Sequence, residues 1–397
     1  MFDSKEPLSI YIHIPFCTKR CGYCDFNTFS GKESLIPLYF DSLQKEIIEI
    51  SNQFKNSPNI KTLFFGGGTP SIVPIKEYQQ LFSVIDDCFA INDDSEITLE
   101  ANPGSISIDY LRLLRKLGFN RLSIGVQSTQ DRELQILNRI HNRNQVFNSI
   151  QNARRADFQN INIDLIFGLP FQIMEVWEKS ITEIIAQDPE HISIYALSIE
   201  KGTPFSIKVS NDEYLLPEND TYAEMYENAR EILNSHGYVH YEISNWAKEG
   251  FESIHNKQYW LDNDYIGVGA GAHSQYNGYR YSNISSLIRY IQKINQITIN
   301  SQTDDYEFPM TSALYDHQFL DRHHRMLEMM MLGLRMTKDG VSKERFKNRF
   351  NMDLNMVFKK EIAKLLEDGL VEWKFDTLKL TERAQFIGNQ VFMNFVD

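Results

Sequence analysis

The run Phe16-Cys17-Thr18-Lys19-Arg20-Cys21-Gly22-Tyr23-Cys24-Asp25 puts three of the chain's four cysteines within eight residues. Lone thiols are usually scattered and buried as small apolar groups, so a cluster this dense points to metal ligation or redox chemistry. Structural zinc wants four ligands, commonly as two close pairs, and no second Cys or His pair follows at finger-like spacing. A disulfide framework suits a small secreted domain rather than a chain of 397 residues. Three thiolates on one loop fit a [4Fe–4S] cluster whose fourth iron stays open to a bidentate small molecule. Zinc and a redox dithiol remain the alternatives for the same residues.

The cysteine loop follows directly on an apolar run, Leu8–Ile14, the first of six candidate strands. The others are Thr62–Phe65, Ile97–Ala101, Arg121–Val126, Ile161–Ile166 and His191–Leu197. Amphipathic stretches lie between them, including Leu35–Phe54, Ile75–Phe89 and Glu175–Ala186. In the first of these, Tyr39, Leu43, Ile47 and Ile50 recur every three or four positions, and Pro37 falls in the first turn. Six β/α units predict the α/β class and a partial (β/α)6 barrel, with its chemistry at the C-terminal ends of the strands. Those ends carry the cysteine loop, Gly66-Gly67-Gly68-Thr69-Pro70, Glu100-Ala101-Asn102-Pro103 and Gln127-Ser128.

The apolar fraction of 42% and charged fraction of 23% are those of a globular protein. No apolar run reaches the ~18 residues of a membrane span. The opening residues lack the basic start and apolar core of a signal peptide, so the expected location is cytoplasmic, where thiols stay reduced. A net charge of −13 argues against nucleic acid as a partner. A polar stretch at about 295–307 reads as a linker between a core at 1–294 and a smaller unit at 308–397. In the second unit Met326, Leu327, Met330, Met331 and Leu334 mark one helix face. Leu354, Val357, Phe358, Ile362, Leu365 and Leu366 mark another, with Gly369 as its cap. Strand-like runs at Leu370–Phe375 and Thr377–Leu380 complete a winged-helix-like pattern. Ten Lys/Arg against nine Asp/Glu in residues 341–397 make DNA binding the weaker reading of this module.

The Cys-x3-Cys-x2-Cys spacing resembles the signature of the radical S-adenosylmethionine (SAM) superfamily. Tyr11-Ile-His-Ile-Pro-Phe-Cys17, Gly66-Gly-Gly-Thr-Pro-Ser71, Glu100-Ala-Asn-Pro-Gly104, Ser123-Ile-Gly-Val-Gln-Ser128, Leu137-Asn-Arg-Ile-His141 and Asn162-Ile-Asp-Leu-Ile-Phe-Gly-Leu-Pro170 narrow it. They are similar to the oxygen-independent coproporphyrinogen III dehydrogenases and their relatives, from about residue 8 to 280 and more weakly beyond. The resemblance implies that Cys17, Cys21 and Cys24 ligate the cluster. It implies that Tyr11, Tyr23, Gly67, Gly68, Thr69, Glu100, Gln127, Arg139, Asp164 and Ser198 surround SAM. The roles are chemically sensible: glycines let backbone approach a ligand, carboxylates and amides hold hydroxyls and an amino group, and Arg139 faces a carboxylate. Each also has a plain structural alternative. Tyr11 and Asp164 could be ordinary inward barrel residues, and Arg139 and Glu100 an ion pair.

Two departures separate this chain from the dehydrogenases. Phe26 stands where they have a further cysteine, and only 16 residues precede Cys17 where they carry a long segment. The resemblance is instead to the heme-chaperone branch, whose His-Asn-x-x-Tyr-Trp pattern is matched by His255-Asn256-Lys257-Gln258-Tyr259-Trp260. A neutral imidazole at His255 can ligate heme iron, and Tyr259 and Trp260 can lie against the macrocycle. A buried histidine beside two core aromatics is the alternative. The expectation is a heme chaperone with a [4Fe–4S] cluster and a SAM site, passing heme to an acceptor apoprotein. The competing expectation is a dehydrogenase that acts through a 5′-deoxyadenosyl radical. The resemblance also leaves room for peripheral membrane association. Arg322-His323-His324-Arg325 reads as a solvated helix start and Met329–Met331 as core filler.

Overall fold

Alternate positions along the expected strands differ in polarity, and the computed structural model turns them to opposite faces of one sheet. It describes residues 2, 7–296 and 307–396. The elements run β1 (Leu8–Ile14), α1 (Ile36–Ser51), β2 (Asn59–Gly67), α2 (Ile75–Cys88), β3 (Ala90–Ala101), α3 (Ile108–Lys116), β4 (Arg121–Gln127), α4 (Arg143–Arg155), β5 (Ile161–Phe167), α5 (Met174–Ile185) and β6 (His191–Ala196). The six strands are parallel and stand in sequence order. One face presents Leu63, Phe65, Leu99, Leu122, Ile124, Ile163, Leu165 and Ile192 to the helices, in a core shared with Leu43, Ile47, Leu81, Leu114, Ile150 and Ile181. The other face carries Glu96, Glu100, Arg121, Ser123, Asn162, Asp164, His191 and Ser193, and it lines the interior.

After β6, α6 (Asn219–Ser235) leads into the hairpin β7 (Val239–Glu242) and β8 (Asn245–Ala247), and β8 pairs antiparallel with β6. The chain then forms α7 (Ile254–Trp260) and returns as β9 (Ile266–Val268), parallel to β1. Among the described residues the edges β7 and β9 do not pair, so the sheet is an open, partial barrel, as expected. The antiparallel hairpin β7–β8 was not foreseen.

β10 (His273–Tyr276), β11 (Tyr279–Asn283) and, after α8 (Leu287–Asn295), β12 (Leu314–Phe319) form a small antiparallel sheet. Phe308 and Ala313 belong to the main core. Residues 308–319, expected in the second unit, therefore pack with the first. Of the expected linker, Asn295 ends α8, and residues 297–306 lie outside the described residues. A separate core begins at Met326, on α9 (Arg322–Gly333), and takes in α10 (Lys343–Phe350), α11 (Lys359–Glu367), β13 (Val371–Lys374) and β14 (Thr377–Leu380). Here the expected helix from Leu354 to Leu366 is split at Phe358, whose φ of −111° and ψ of 36° leave the helical region.

The second unit docks on α7. Arg335 lies 4.4 Å over the Trp260 ring, Arg349 pairs with Asp262 at 2.6 Å, and the Ile243 amide donates to the Arg335 carbonyl at 3.1 Å.

A buried carboxylate ties the first helix to the closing segments. Glu46 on α1 accepts from the Gly269 amide (2.8 Å), Asn283 Nδ2 (2.7 Å), Tyr290 Oη (2.6 Å) and Thr311 Oγ1 (3.1 Å). Burial pushes its carboxyl up to about 7 against the pull of these four donors. Glu46→Leu strands all four, and chemical denaturation should show a loss of about 3 kcal/mol or more. Glu46→Gln keeps a carbonyl acceptor and should lose less.

Candidate functional site

The polar faces of β1 to β6 enclose a cavity of about 680 Å³ that opens at the C-terminal ends of the strands. Apart from Trp260, the site residues expected from the sequence line it. Cys17, Cys21, Cys24, Tyr11, Tyr23, Gly67, Gly68, Thr69, Glu100, Gln127, Arg139, Asp164, Ser198 and His255 all face this one space.

Two contacts fix the cysteine loop. Phe16–Cys17 pairs in parallel with Phe29–Ser30, which closes the loop, and the Phe205 amide donates to the Gly22 carbonyl at 3.1 Å. The glycine run is pressed against the loop's base, with the Gly68 amide on the Ile14 carbonyl and the Thr69 amide on the Phe16 carbonyl, each at 2.8 Å. A Cβ on Gly68 would lie 2.5 Å from the Phe16 oxygen. Gly67 has φ +115°, and its Cβ would strike the His13 ring.

One chain of hydrogen bonds joins two of the thiols. Thr69 Oγ1 donates to Cys17 Sγ (3.5 Å) and accepts from Asn102 Nδ2 (3.1 Å). Asn102 Oδ1 accepts from Arg139 Nη2 (2.5 Å), and Arg139 Nη1 donates to Cys21 Sγ (3.4 Å). Arg139 also holds the Gly125 carbonyl at 2.6 Å, while the Glu100 carboxylate accepts the Gly67 amide at 3.0 Å. The Nη groups of Arg139 and one oxygen of Glu100 are engaged in this way, and the two side chains do not pair with each other. Burial pushes the Cys17 thiol up, and the neighbouring Cys24 and Cys21 add to this. Three crowded thiols aimed at one cavity, two of them already receiving hydrogen bonds, are a donor set that suits a cluster. Among the described residues no three His, Cys, Asp or Glu side chains are grouped to hold a single metal ion.

Deeper in the cavity, Asp164 is held by Ser123 Oγ (3.1 Å) and Asn162 Nδ2 (2.7 Å). Burial raises its carboxyl, and burial together with Asp164 pushes Glu100 up to about 7. β4 ends in a bulge between Gly125 and Gln127, where Gln127 takes φ 67° and re-aims its side chain. The Ser198 hydroxyl donates to the Glu200 carboxylate.

His255 sits at the other end of the lumen. Glu96 of β3 accepts the amides of Ile254 (3.0 Å) and His255 (2.9 Å), which seats the start of α7 against the sheet. The imidazole is 1% exposed and stacks on Phe64 at 5.0 Å. Its Nδ1 lies 2.6 Å from Thr62 Oγ1 and its Nε2 lies 2.7 Å from Tyr259 Oη. Burial, aided by Arg121, pushes it down to about 3, so the ring is neutral. Tyr259 lines the cavity with it, but Trp260 does not. Trp260 faces Arg335 and packs beside Tyr241, Ala247 and Met336, so its expected contact with the macrocycle is absent from this arrangement.

The cavity adds Asn102 and Arg121, which the sequence reading passed over as site residues. The signal was period two: Arg121, Ser123 and Gly125 share one face of β4.

Residues 11–184 match the model of the Radical SAM superfamily, and residues 320–387 match that of the HemN C-terminal domain. Among curated proteins, the chain is 37% identical over 389 residues to the heme chaperone HemW of Bacillus subtilis, covering 98% of this chain and 99% of that protein. It is 32% identical over 392 residues to the heme chaperone HemW of Lactococcus lactis, covering 99% and 98%. Among solved structures, coproporphyrinogen III oxidase (HemN) from Escherichia coli, a radical SAM enzyme, superposes with a TM-score of 0.82. It shares 24% identity over 98% of this chain and 90% of that one, a likeness of fold.

Glu46, Glu100 and Glu242 are all held near 7, against an ordinary carboxyl value of 4.5. The folded chain therefore binds more protons than the unfolded one between these values, and stability falls as pH rises through the window, by up to ~1.4 kcal/mol per unit for each group. Glu100→Gln should make the decline in urea midpoint from pH 5 to 7 shallower. An unchanged slope would place the Glu100 proton elsewhere.

Proposed function

We propose, since the chain belongs to the radical SAM superfamily and within it to the HemW family, that it binds heme and hands it to an acceptor protein, with a [4Fe–4S] cluster and SAM held in the barrel cavity. The observation that carries this reading is that His255, Asn256 and Tyr259 line the same cavity as the three cysteines. When bound, the cluster supplies a low-potential electron and an open iron for the methionyl end of SAM. Cys17, Cys21 and Cys24 are its ligands, and the donors Thr69 and Arg139 tune the sulfur charge. Gly67 and Gly68 let backbone approach SAM, and Tyr11, Tyr23, Glu100, Gln127, Asp164 and Ser198 supply its walls and hydrogen-bond partners.

For heme, the neutral His255 ring keeps a lone pair free of a proton down to acidic pH. Thr62 orients the ring through Nδ1, in the manner of a supporting partner to a metal ligand. Nε2, which lies 2.7 Å from the Tyr259 hydroxyl, is the nitrogen that would be offered to the iron. Among the described residues no helix is long and apolar enough to cross a membrane. We place the protein in the cytoplasm, where its thiols stay reduced, and any association with a membrane-bound acceptor is peripheral. The exposed Phe26 at the cavity wall, where the dehydrogenases carry a cysteine, speaks against porphyrinogen decarboxylation.

Loaded anaerobically with heme, the wild-type chain should give the absorption spectrum of a histidine-ligated iron. His255→Ala should lose that signature and at least about tenfold in affinity; an unaltered spectrum and stoichiometry reject His255 as the ligand. Incubation with SAM, a reductant and coproporphyrinogen III should yield no protoporphyrinogen, and its formation would restore the enzymatic reading.

A further inference from the structure

Arg121 is used by neither the SAM residues nor the heme motif. As the first residue of β4 it points into the lumen, is 1% exposed, and lines the cavity. Its Nε is buried without a hydrogen-bond partner. The nearest carboxylate, Glu96, is 3.9 Å away, beyond hydrogen-bond reach, and its two oxygens are engaged by the amides of α7. A guanidinium has five donors in a fixed fork, and burying it without acceptors costs free energy that a native site recovers only when something accepts from it.

What would that acceptor be? The fork fits a carboxylate, and a planar one can be bound bidentately. The methionyl carboxylate of SAM belongs at the cysteine end. Arg121 and Gln127 mark opposite ends of β4, about 20 Å apart at the rise of an extended strand. At Arg121's end stand His255, stacked on Phe64, and the cavity residues Tyr11 and Tyr259. Metal-binding nitrogen, aromatic wall and a guanidinium that is ion-paired with Glu96 at 3.9 Å yet keeps an Nε donor without a hydrogen-bond acceptor, all in one space, describe a flat, metal-bearing ligand with a carboxylate arm. Arg121 also acts on the buried carboxyls of Glu100 and Asp164, lowering both, but burial outweighs it and favours their protonated forms.

We propose that Arg121 is the carboxylate-recognition residue of the cavity floor and takes a propionate of the porphyrin whose iron meets His255. This rests on the heme-binding reading above. The test compares heme with heme dimethyl ester, which keeps the iron and ring but has no carboxylate, on the full chain with its cluster reconstituted. Wild type should bind heme about tenfold more tightly than the ester, the worth of one charged hydrogen-bonded contact. Arg121→Gln should abolish that preference while the His255-ligated spectrum persists, and Arg121→Lys should retain part of it. Equal affinity of wild type for the two ligands overturns the proposal, and that comparison needs no variant to fold. A preference that survives in Arg121→Gln, or a loss confined to SAM affinity, also overturns it. Loss of the spectrum's dependence on His255 instead strikes the heme reading and leaves the ester comparison legible.

Discussion

A parallel strand enclosed on both faces must satisfy whatever its inner positions carry, because water does not reach them freely. In this chain the outer positions are Leu, Ile, Val and Phe, and the inner ones are largely polar or charged. The inner groups partner one another as far as geometry allows: His191 Nδ1 lies 2.6 Å from Asn162 Oδ1, Asn162 holds Asp164, and Glu100 takes the Gly67 amide. Left over are the three thiols beside the glycine run and, among other atoms, the Nε of Arg121, which shares the cavity with His255. The lumen is thus built as a binding space with a sulfur-rich mouth and a floor of imidazole, guanidinium and aromatic rings.

The two ends are supported differently. At the mouth, the path Cys17–Thr69–Asn102–Arg139–Cys21 ties residues from four separate segments into one frame. Displacing any one of them would move a sulfur. At the floor, α7 is held from inside by Glu96 and from outside by Arg335 and Arg349 of the second unit. The C-terminal unit therefore does structural work for the segment that carries His255. Movement of that unit would be felt at His255 through Trp260 and Asp262.

Much of this was legible in the sequence because it rests on local rules. Strand periodicity, the thiol spacing and Gly66–Gly68 are set within a few residues of one another, so all six parallel strands are legible along the chain. What escaped notice depends on pairing across distance. β2 and β3 begin earlier than expected because Asn59 and Ala90, polar or small, pair with each other at the sheet's margin. Residues 308–319 join the first unit because Leu314–Phe319 pairs with Tyr279–Asn283. The Nδ1 partner of His255 is Thr62, far away in sequence, which could not be read from the hexapeptide, whereas Tyr259 on Nε2 lies within it. Arg121 was hidden for the opposite reason: a lone arginine opening an apolar run looks like a solvated strand end.

Under the proposed function, three thiols at the barrel mouth hold an iron–sulfur cluster with one open iron beside the residues assigned to SAM. The most direct measurement is metal and sulfide analysis of anaerobically reconstituted chain, followed by electron paramagnetic resonance of the reduced protein with and without SAM. About four iron and four sulfide per chain are expected, with a cluster signal that changes when SAM is added. Zinc in place of iron, or a cluster signal indifferent to SAM, would contradict it.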